Sequence, residues 1–164
     1  MDLEILLEKC PVINSLYEEN LRFCNAPIGA RQVVTPFVLG GKLLRPGKTL
    51  LMPYRQLHFN EEVFGNTAGK FDAKRFLNDK SLLKSTSYRP FGGGSTLCPG
   101  RFIAKREVLM FVALVLFRFD ISLAEKKDGR VPKFPKQDVS IPSGGIMGPL
   151  PGEDVILRLR PVKA

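Results

Sequence analysis

The sequence predicts a mainly helical α+β fold, and three observations carry that expectation. Apolar residues recur at helical spacing in the first two dozen positions. A longer apolar run from Arg101 to Phe117 has the length of a core helix rather than of a strand. Between and after these helices lie short β-rich pieces broken by glycine and proline. With 164 residues and 44% hydrophobic content, the chain has the size and composition of a globular domain able to bury a core.

Residues 2–9 follow a helical pattern with Leu3, Leu6 and Leu7 on one side. Pro11 restarts the helix, so a second one is expected from Pro11 to Phe23 with Val12, Ile13 and Leu16 inward. Within it, Glu19 and Arg22 stand at i and i+3, share a face and can pair; taken alone, this is the pattern of a surface ion pair. Arg31 to Met52 reads as strands and turns: Val33-Val34 and Phe37-Val38-Leu39 are β-rich, Gly40-Gly41 and Arg45-Pro46-Gly47-Lys48 are turns, and Thr49 to Met52 is a strand. Arg31 by itself reads as an exposed strand-edge arginine. Periodicity is lost from Pro53 to Pro90, where His58 reads as a packed structural residue rather than a base. The helix from Arg101 to Phe117 is expected to bury Ile103, Val108, Val112 and Val115. Phe119 to Leu123 reads as a strand and Glu125 to Arg130 as a charged turn around Gly129. A proline- and glycine-rich loop follows from Pro132 to Gly152, with a short strand near Val139 to Ile141. Val155 to Arg160 alternates as a half-exposed terminal strand does.

The net charge of +9 comes from Lys and Arg scattered without a helical stripe or an aromatic stacking platform, which argues against nucleic acid and for a solvated surface. Three cysteines at irregular spacing do not make a secreted disulfide scaffold and suit a reducing compartment. The longest apolar run, Val108 to Phe117, is well short of the ~20 residues that span a bilayer, and the acid-containing N-terminus does not read as a signal peptide.

The stretch on which function turns is Phe91-Gly-Gly-Gly-Ser-Thr-Leu-Cys98-Pro-Gly100. Pro99 is expected to open the long helix, which puts Cys98 at a helix N-terminus, where unpaired N–H groups and the macrodipole favour thiolate over thiol. That environment suits a metal ligand or a nucleophile. A nucleophile needs a base, and the single histidine, His58, lies in a segment with no other catalytic signal. A phosphate-binding cysteine loop would want arginine where Ala104 stands, and a Walker loop would want lysine where Arg101 stands. Zinc needs companions, and Cys10 and Cys24 lie far off. Haem iron is content with a single thiolate.

Phe91, Gly94, Cys98 and Gly100 match the Phe-x-x-Gly-x-x-x-Cys-x-Gly haem signature, and Arg101, Ala104 and Glu107 continue it. The chain thus resembles the cytochrome P-450 family of haem-thiolate monooxygenases. The resemblance runs from Leu3 to Arg160 but covers only the C-terminal part of that fold: K helix, short β segments, meander, cysteine loop, L helix and terminal β hairpin. Residues 1–164 would then be a partial, haem-binding domain.

The resemblance implies haem b, with Cys98 as the proximal iron ligand. Glycines 92–94, and Gly100 in the same way, would use φ > 0 to approach the macrocycle. Phe91 would lie near the sulfur, and Ala104 would leave the porphyrin face uncovered. Arg31 falls where family members bind a haem propionate. Glu19 and Arg22 look like the Glu-x-x-Arg of the K helix, and Arg75, in Phe71-Asp-Ala-Lys-Arg-Phe76, would complete a buried ion-pair network with them. His58 begins a segment similar to His-Arg-Asp-Pro, with Phe59, Asn60 and Glu61 departing from it.

Thr96 stands where many members carry arginine for a propionate; a branch that includes sterol 7α-hydroxylases and prostacyclin synthase shares this departure. No Ala-Gly-x-x-Thr match to the distal oxygen-activating helix occurs, so no catalytic residue is assigned and the chain is expected to be inactive alone. The family's reaction inserts one atom of O2 into a small organic or lipid-like substrate, with electrons from an acidic flavoprotein reductase that Lys105 and Arg106 would face. Full-length eukaryotic relatives sit in the endoplasmic reticulum membrane. The alternative is a non-catalytic haem-binding or interaction fragment.

Overall fold

A computed structural model of the chain describes residues 3–124, 133–140 and 145–162. In chain order the elements are α1 (Leu3–Lys9), α2 (Pro11–Cys24), β1 (Ile28–Gln32), β2 (Phe37–Leu39), β3 (Lys42–Leu44), β4 (Thr49–Pro53), α3 (Tyr54–His58), α4 (Glu61–Phe64), α5 (Arg75–Asn78), α6 (Arg101–Arg118), β5 (Phe119–Leu123) and β6 (Leu157–Pro161). Single 3-10 turns occupy Lys80–Lys84 and Gly94–Thr96.

Helix α2 is the hub, packing against α1, α3, α5 and α6. The break before it is closed by Asn14, whose Nδ2 donates to the carbonyls of Leu6 and Leu7 at 3.1 Å and of Cys10 at 2.9 Å, occupying acceptors that the end of α1 leaves open. The buried face of α2 differs from the expected one. Val12 and Leu16 are exposed, whereas Ser15, Tyr17, Glu19, Leu21 and Arg22 are buried. The reason is that polar partners from distant segments claim this face: Ser15 Oγ accepts the Leu77 N–H at 3.0 Å, and Glu19 and Arg22 are wholly enclosed. Hydrophobic periodicity carries no signal for such a face.

Helix α6 also departs from expectation. Ile103 and Val108, expected inward, are exposed, and Leu109 is the buried residue. A helix that is apolar on every side offers no periodicity from which to choose a face. Leu109 joins Leu6, Tyr17 and Leu21 in one core cluster, with Phe91 packed against it; Phe64, Ala68, Phe76 and Tyr88 form a second. Phe23 bridges outward, its ring 5.6 Å from Phe59, 5.7 Å from Phe71 and 6.1 Å from Phe134.

The strands form three antiparallel pairs, β1 with β4, β2 with β3, and β5 with β6. Gly40 and Gly41, at φ 55° and 75°, make the two-residue turn between β2 and β3, a geometry in which both central residues need positive φ. The expected strand at Val33-Val34 is instead the exit from β1, which begins upstream at Ile28. Val33 is buried and closes the Arg45–Lys48 turn, donating to Lys48 O at 2.8 Å and accepting from Gly47 N at 2.9 Å. Val139 lies in no strand; the nearby pairing is an isolated bridge between Gln137 and Pro149. Ile141 and the charged turn at 125–130 lie outside the described residues. Among the described residues, no helix is long and apolar enough to cross a membrane.

Candidate functional site

The loop from Phe91 to Gly100 borders a cleft of about 460 Å³, within the size range of small-molecule sites. Tyr17, Leu21 and Asn25 line it from α2 and its C-terminus, Ile28, Gly29 and Arg31 from β1, Tyr54 from α3, and Ala104 and Val108 from α6. The loop itself contributes Phe91, Gly92, Gly93, Thr96 and Cys98. The loop is shaped by its own backbone: Cys98 N–H donates to Phe91 O at 3.1 Å, Leu97 N–H to Gly94 O at 3.3 Å, and Arg101 Nη1 to Cys98 O at 2.8 Å. Gly92 and Gly94 take φ of 81° and 70°, where a side chain would be strained.

Three local expectations are corrected here. Gly93 is extended, at φ −170°, so positive φ does not explain it; a Cβ there would approach the Arg89 side chain at 3.6 Å. Gly100 is right-handed, at φ −73°, and its missing Cβ would meet Cys98 Sγ at 3.8 Å, ordinary contact rather than a strained approach. Pro99 lies in the turn before α6, which begins at Arg101 with Gly100 as N-cap, so Cys98 stands ahead of the helix rather than on its first turn. Cys98 is exposed and lines the cleft; Gly94 and Gly100 do not line it.

Arg31 reaches across from β1 to the loop. Its Nη1 donates to Ala30 O at 2.7 Å, and its Nη2 to Gly93 O at 3.4 Å and to Thr96 Oγ1 at close range. Thr96 is thus the guanidinium's partner from the loop. Next to Arg31 in the cleft wall, Gly29 cannot be enlarged, since a Cβ would sit 2.7 Å from Tyr54 Cζ and 3.2 Å from Met52 Cε. Burial, followed by the neighbouring Glu18 carboxylate, pushes the Tyr17 phenol up to about 12, so it lines the cleft as a neutral group.

Behind the cleft, the structure brings Glu19, Arg22 and Arg75 together. Arg22 holds the Glu19 carboxylate in a fork, Nε to Oε2 at 2.7 Å and Nη2 to Oε1 at 2.8 Å, and Arg75 Nε adds a contact to Oε2 at 3.1 Å. The remaining guanidinium donors go to backbone carbonyls: Arg22 to His58, Ala68 and Lys70, and Arg75 to Phe64, Thr67 and Lys70. Asp72 N–H donates to Glu19 Oε1 at 2.9 Å. The rings of Phe59 and Phe64 lie 5.3 and 5.1 Å from the Arg22 guanidinium carbon. Three charges can be buried together because every lone pair and proton they carry is directed at a partner.

His58 is fully buried; burial pushes its imidazole down to about 4, so it is neutral near pH 7. Its Nε2 accepts the Arg89 N–H at 2.9 Å. Its Nδ1 faces the backbone of Arg22 and Asn25 without a hydrogen bond of good geometry.

Lys105 is less available for a docking surface than the sequence implies. Its ammonium bonds Glu18 Oε1 at 2.8 Å and lies 5.5 Å from the Tyr17 ring, whereas Arg106 is exposed. Two residues at the site carried no sequence signal of their own, Asn25 and Tyr54. Each follows the end of a regular element, and nothing local says that a chain-distant loop will pack there.

The cytochrome P450 family model matches residues 5–148. The chain belongs to the cytochrome P450 family. Its relatives include a cytochrome P450 monooxygenase of Gibberella zeae, 31% identical over 79% of this chain and 26% of that protein. A human 7-alpha-hydroxycholest-4-en-3-one 12-alpha-hydroxylase is 32% identical over 94% of this chain and 32% of that protein. The solved structure of retinoic acid bound cyanobacterial CYP120A1 superposes over 99% of this chain and 35% of that one, with a TM-score of 0.76 at 22% identity, a likeness of fold. The chain therefore spans roughly a quarter to a third of the curated relatives it matches.

Membership of the cytochrome P450 family implies a haem cofactor, and the residues present fit one. Iron held in a macrocycle asks the protein for a single axial donor. Cys98 is the one cysteine on the cleft wall, which carries no histidine, aspartate or glutamate. Among the described residues, no group of three or more such side chains could hold a metal ion unaided. Bare glycine backbone beside the thiol leaves a face that a flat ring can approach, and Arg31 supplies a cation at the same wall.

Proposed function

We propose that this chain is the haem-holding C-terminal portion of a haem-thiolate monooxygenase, with Cys98 as the axial ligand of haem b. The observation that carries the reading is the Cys98 thiol on the wall of a cleft that also presents glycine backbone and the Arg31 guanidinium. Arg31 keeps donors beyond those given to Ala30, Gly93 and Thr96, and these serve a propionate carboxylate while the same side chain tethers the loop. Phe91 carries the carbonyl that fixes the Cys98 N–H, Gly94 makes the positive-φ turn, Gly100 caps the helix that follows the loop, and Ala104 keeps the cleft wall low. The Glu19–Arg22–Arg75 network is structural, holding the segments behind the loop.

When bound, haem supplies the chemistry by which one atom of O2 enters an organic substrate. A small organic or lipid-like substrate agrees with the 7-alpha-hydroxycholest-4-en-3-one that the human relative is named for, and family membership points to a flavoprotein reductase as the electron source. The residues here bind and orient; none is assigned a catalytic role, and without an Ala-Gly-x-x-Thr segment, turnover by these residues alone is not expected. The test is to add haem to the purified chain and record the ferrous CO complex. A red-shifted Soret band that disappears in Cys98→Ala supports thiolate ligation. Equal haem binding and an unchanged spectrum in Cys98→Ala overturn it.

A further inference from the structure

Two buried side chains from outside the cysteine loop grip the dipeptide that leads into it. Asn25, just beyond the C-terminus of α2, donates from Nδ2 to Pro90 O at 2.6 Å. His58, the last residue of α3, accepts the Arg89 N–H on Nε2 at 2.9 Å. One residue thus captures a carbonyl and the other an amide of adjacent positions, which fixes both the place and the direction of the backbone there.

The grip has a cost that packing alone would not incur. Asn25 Oδ1 is buried with no hydrogen-bond partner among the described residues, and His58 Nδ1 has only the poorly aligned backbone of Arg22 and Asn25, so the bond to Arg89–Pro90 is the one well-formed side-chain bond that each makes. Apolar side chains of similar volume would bring no orphaned atoms of their own but would strip the Arg89 N–H and the Pro90 carbonyl of these partners. What Asn25 and His58 provide is, respectively, the donor and the acceptor aimed at this dipeptide.

The next links are short. Phe91 follows Pro90 directly, and its carbonyl accepts the Cys98 N–H at 3.1 Å, so the base of the loop is closed on the residue that the grip immobilises. On the other side, Arg22 Nη1 donates to His58 O at 2.7 Å, which anchors the post itself to the buried charge network.

We propose that His58 and Asn25 are positioning residues that clamp Arg89–Pro90 and thereby hold the Cys98 thiol at the cleft, a role that rests on the reading of this thiol as the haem ligand. The clamp requires an unprotonated Nε2, with the imidazole proton on Nδ1, and a buried neutral histidine meets that requirement.

Amide hydrogen exchange on the full 164-residue chain tests the clamp without haem. In His58→Leu, and independently in Asn25→Leu, exchange at Arg89, Leu97 and Cys98 is expected to speed up about tenfold or more while the β5–β6 amides keep their rates. His58→Gln, which restores an acceptor, is expected to recover much of the protection. In the haem-loaded chain, His58→Leu is expected to move part of the ferrous CO band away from its red-shifted position, and His58→Gln to hold it there. Loop amides that exchange at unaltered rates in both folded leucine variants overturn the clamp. If neither variant folds, the wild-type chain decides. A scalar coupling between Arg89 N and His58 Nε2 upholds the clamp, and an Arg89 amide exchanging at the solvent rate overturns it. Failure to bind haem would remove the ligand reading while leaving the exchange result standing, so the two failures are distinguishable.

Discussion

The Glu19–Arg22–Arg75 network and the Cys98 loop both pack on residues of α2's C-terminal half, and they are built in opposite ways. In the network every polar atom is matched within the chain, and Glu19 and Arg22 have no solvent exposure at all. In the loop, residues 94–99 are exposed, the thiol has no side-chain partner among the described residues, and shape comes from backbone bonds and positive-φ glycines. Charges that stay buried must be completed by the chain that carries them, whereas a thiol proposed as a ligand must be left incomplete so that something else can bind. His58 belongs to both regions, its carbonyl serving the network and its imidazole the loop.

That contrast can be broken at four places, in falling order of effect. Glu19→Gln leaves two buried guanidinia facing a neutral amide and should cost about 3–5 kcal/mol, a large part of a total stability of about 5–15 kcal/mol. Urea unfolding monitored by circular dichroism measures the loss; a loss under about 1 kcal/mol would mean that the network is not the keystone described.

The second effect is acid sensitivity. The folded His58 is held down from 6.5 to about 4, so the unfolded chain takes up a proton in that interval that the folded chain refuses. Stability is therefore fully present above about 6.5 and lost as pH falls toward about 4, by up to about 3 kcal/mol. The cause is burial first, with the Arg22 and Arg55 guanidinia adding to it. A pH series of unfolding curves in which His58→Gln keeps the same acid limb as the parent would refute the assignment.

Third, Gly29→Ala drives a methyl into the Tyr54 ring at the cleft wall and should cost about 1–3 kcal/mol, with haem affinity falling alongside stability. The smallest stability effect is expected at Cys98, the proposed ligand. Cys98→Ala removes an exposed side chain and should shift stability by no more than about 0.5 kcal/mol while abolishing the thiolate spectrum. The combination of a neutral melting curve with a lost spectral signature is what separates a ligand from a scaffold residue.

Much of the element order is legible in the sequence. Leu3–Lys9, Pro11–Cys24 and Arg101–Arg118 announce themselves by length and by Pro11, and the Gly40-Gly41 turn by its residues. The faces were less legible. Val12 and Leu16 were expected inside α2, yet Ser15, Glu19 and Arg22 are there, because a polar face is buried only when specific partners arrive from elsewhere. In α6 the excess of apolar residues hid Leu109 among many candidates. At the loop, glycine composition pointed to unusual backbone, but Gly92 and Gly94 use positive φ while Gly93 and Gly100 do not; composition does not distribute dihedral angles.

By itself the sequence determined which chemistry the chain can offer. A cysteine in a glycine-rich stretch ahead of a helix is a statement about residue types and spacing, which marks a metal ligand or a nucleophile; haem, and a role for Arg31, came from the resemblance of residues 91–107 to the family signature. Only the tertiary structure decided that Arg31 meets Thr96, that Asn25 and His58 hold Arg89–Pro90, and that Lys105 is taken up by Glu18. These contacts join residues 31 to 87 positions apart. They form because burial elsewhere brings the segments together, and no local pattern encodes a partner that distant packing selects.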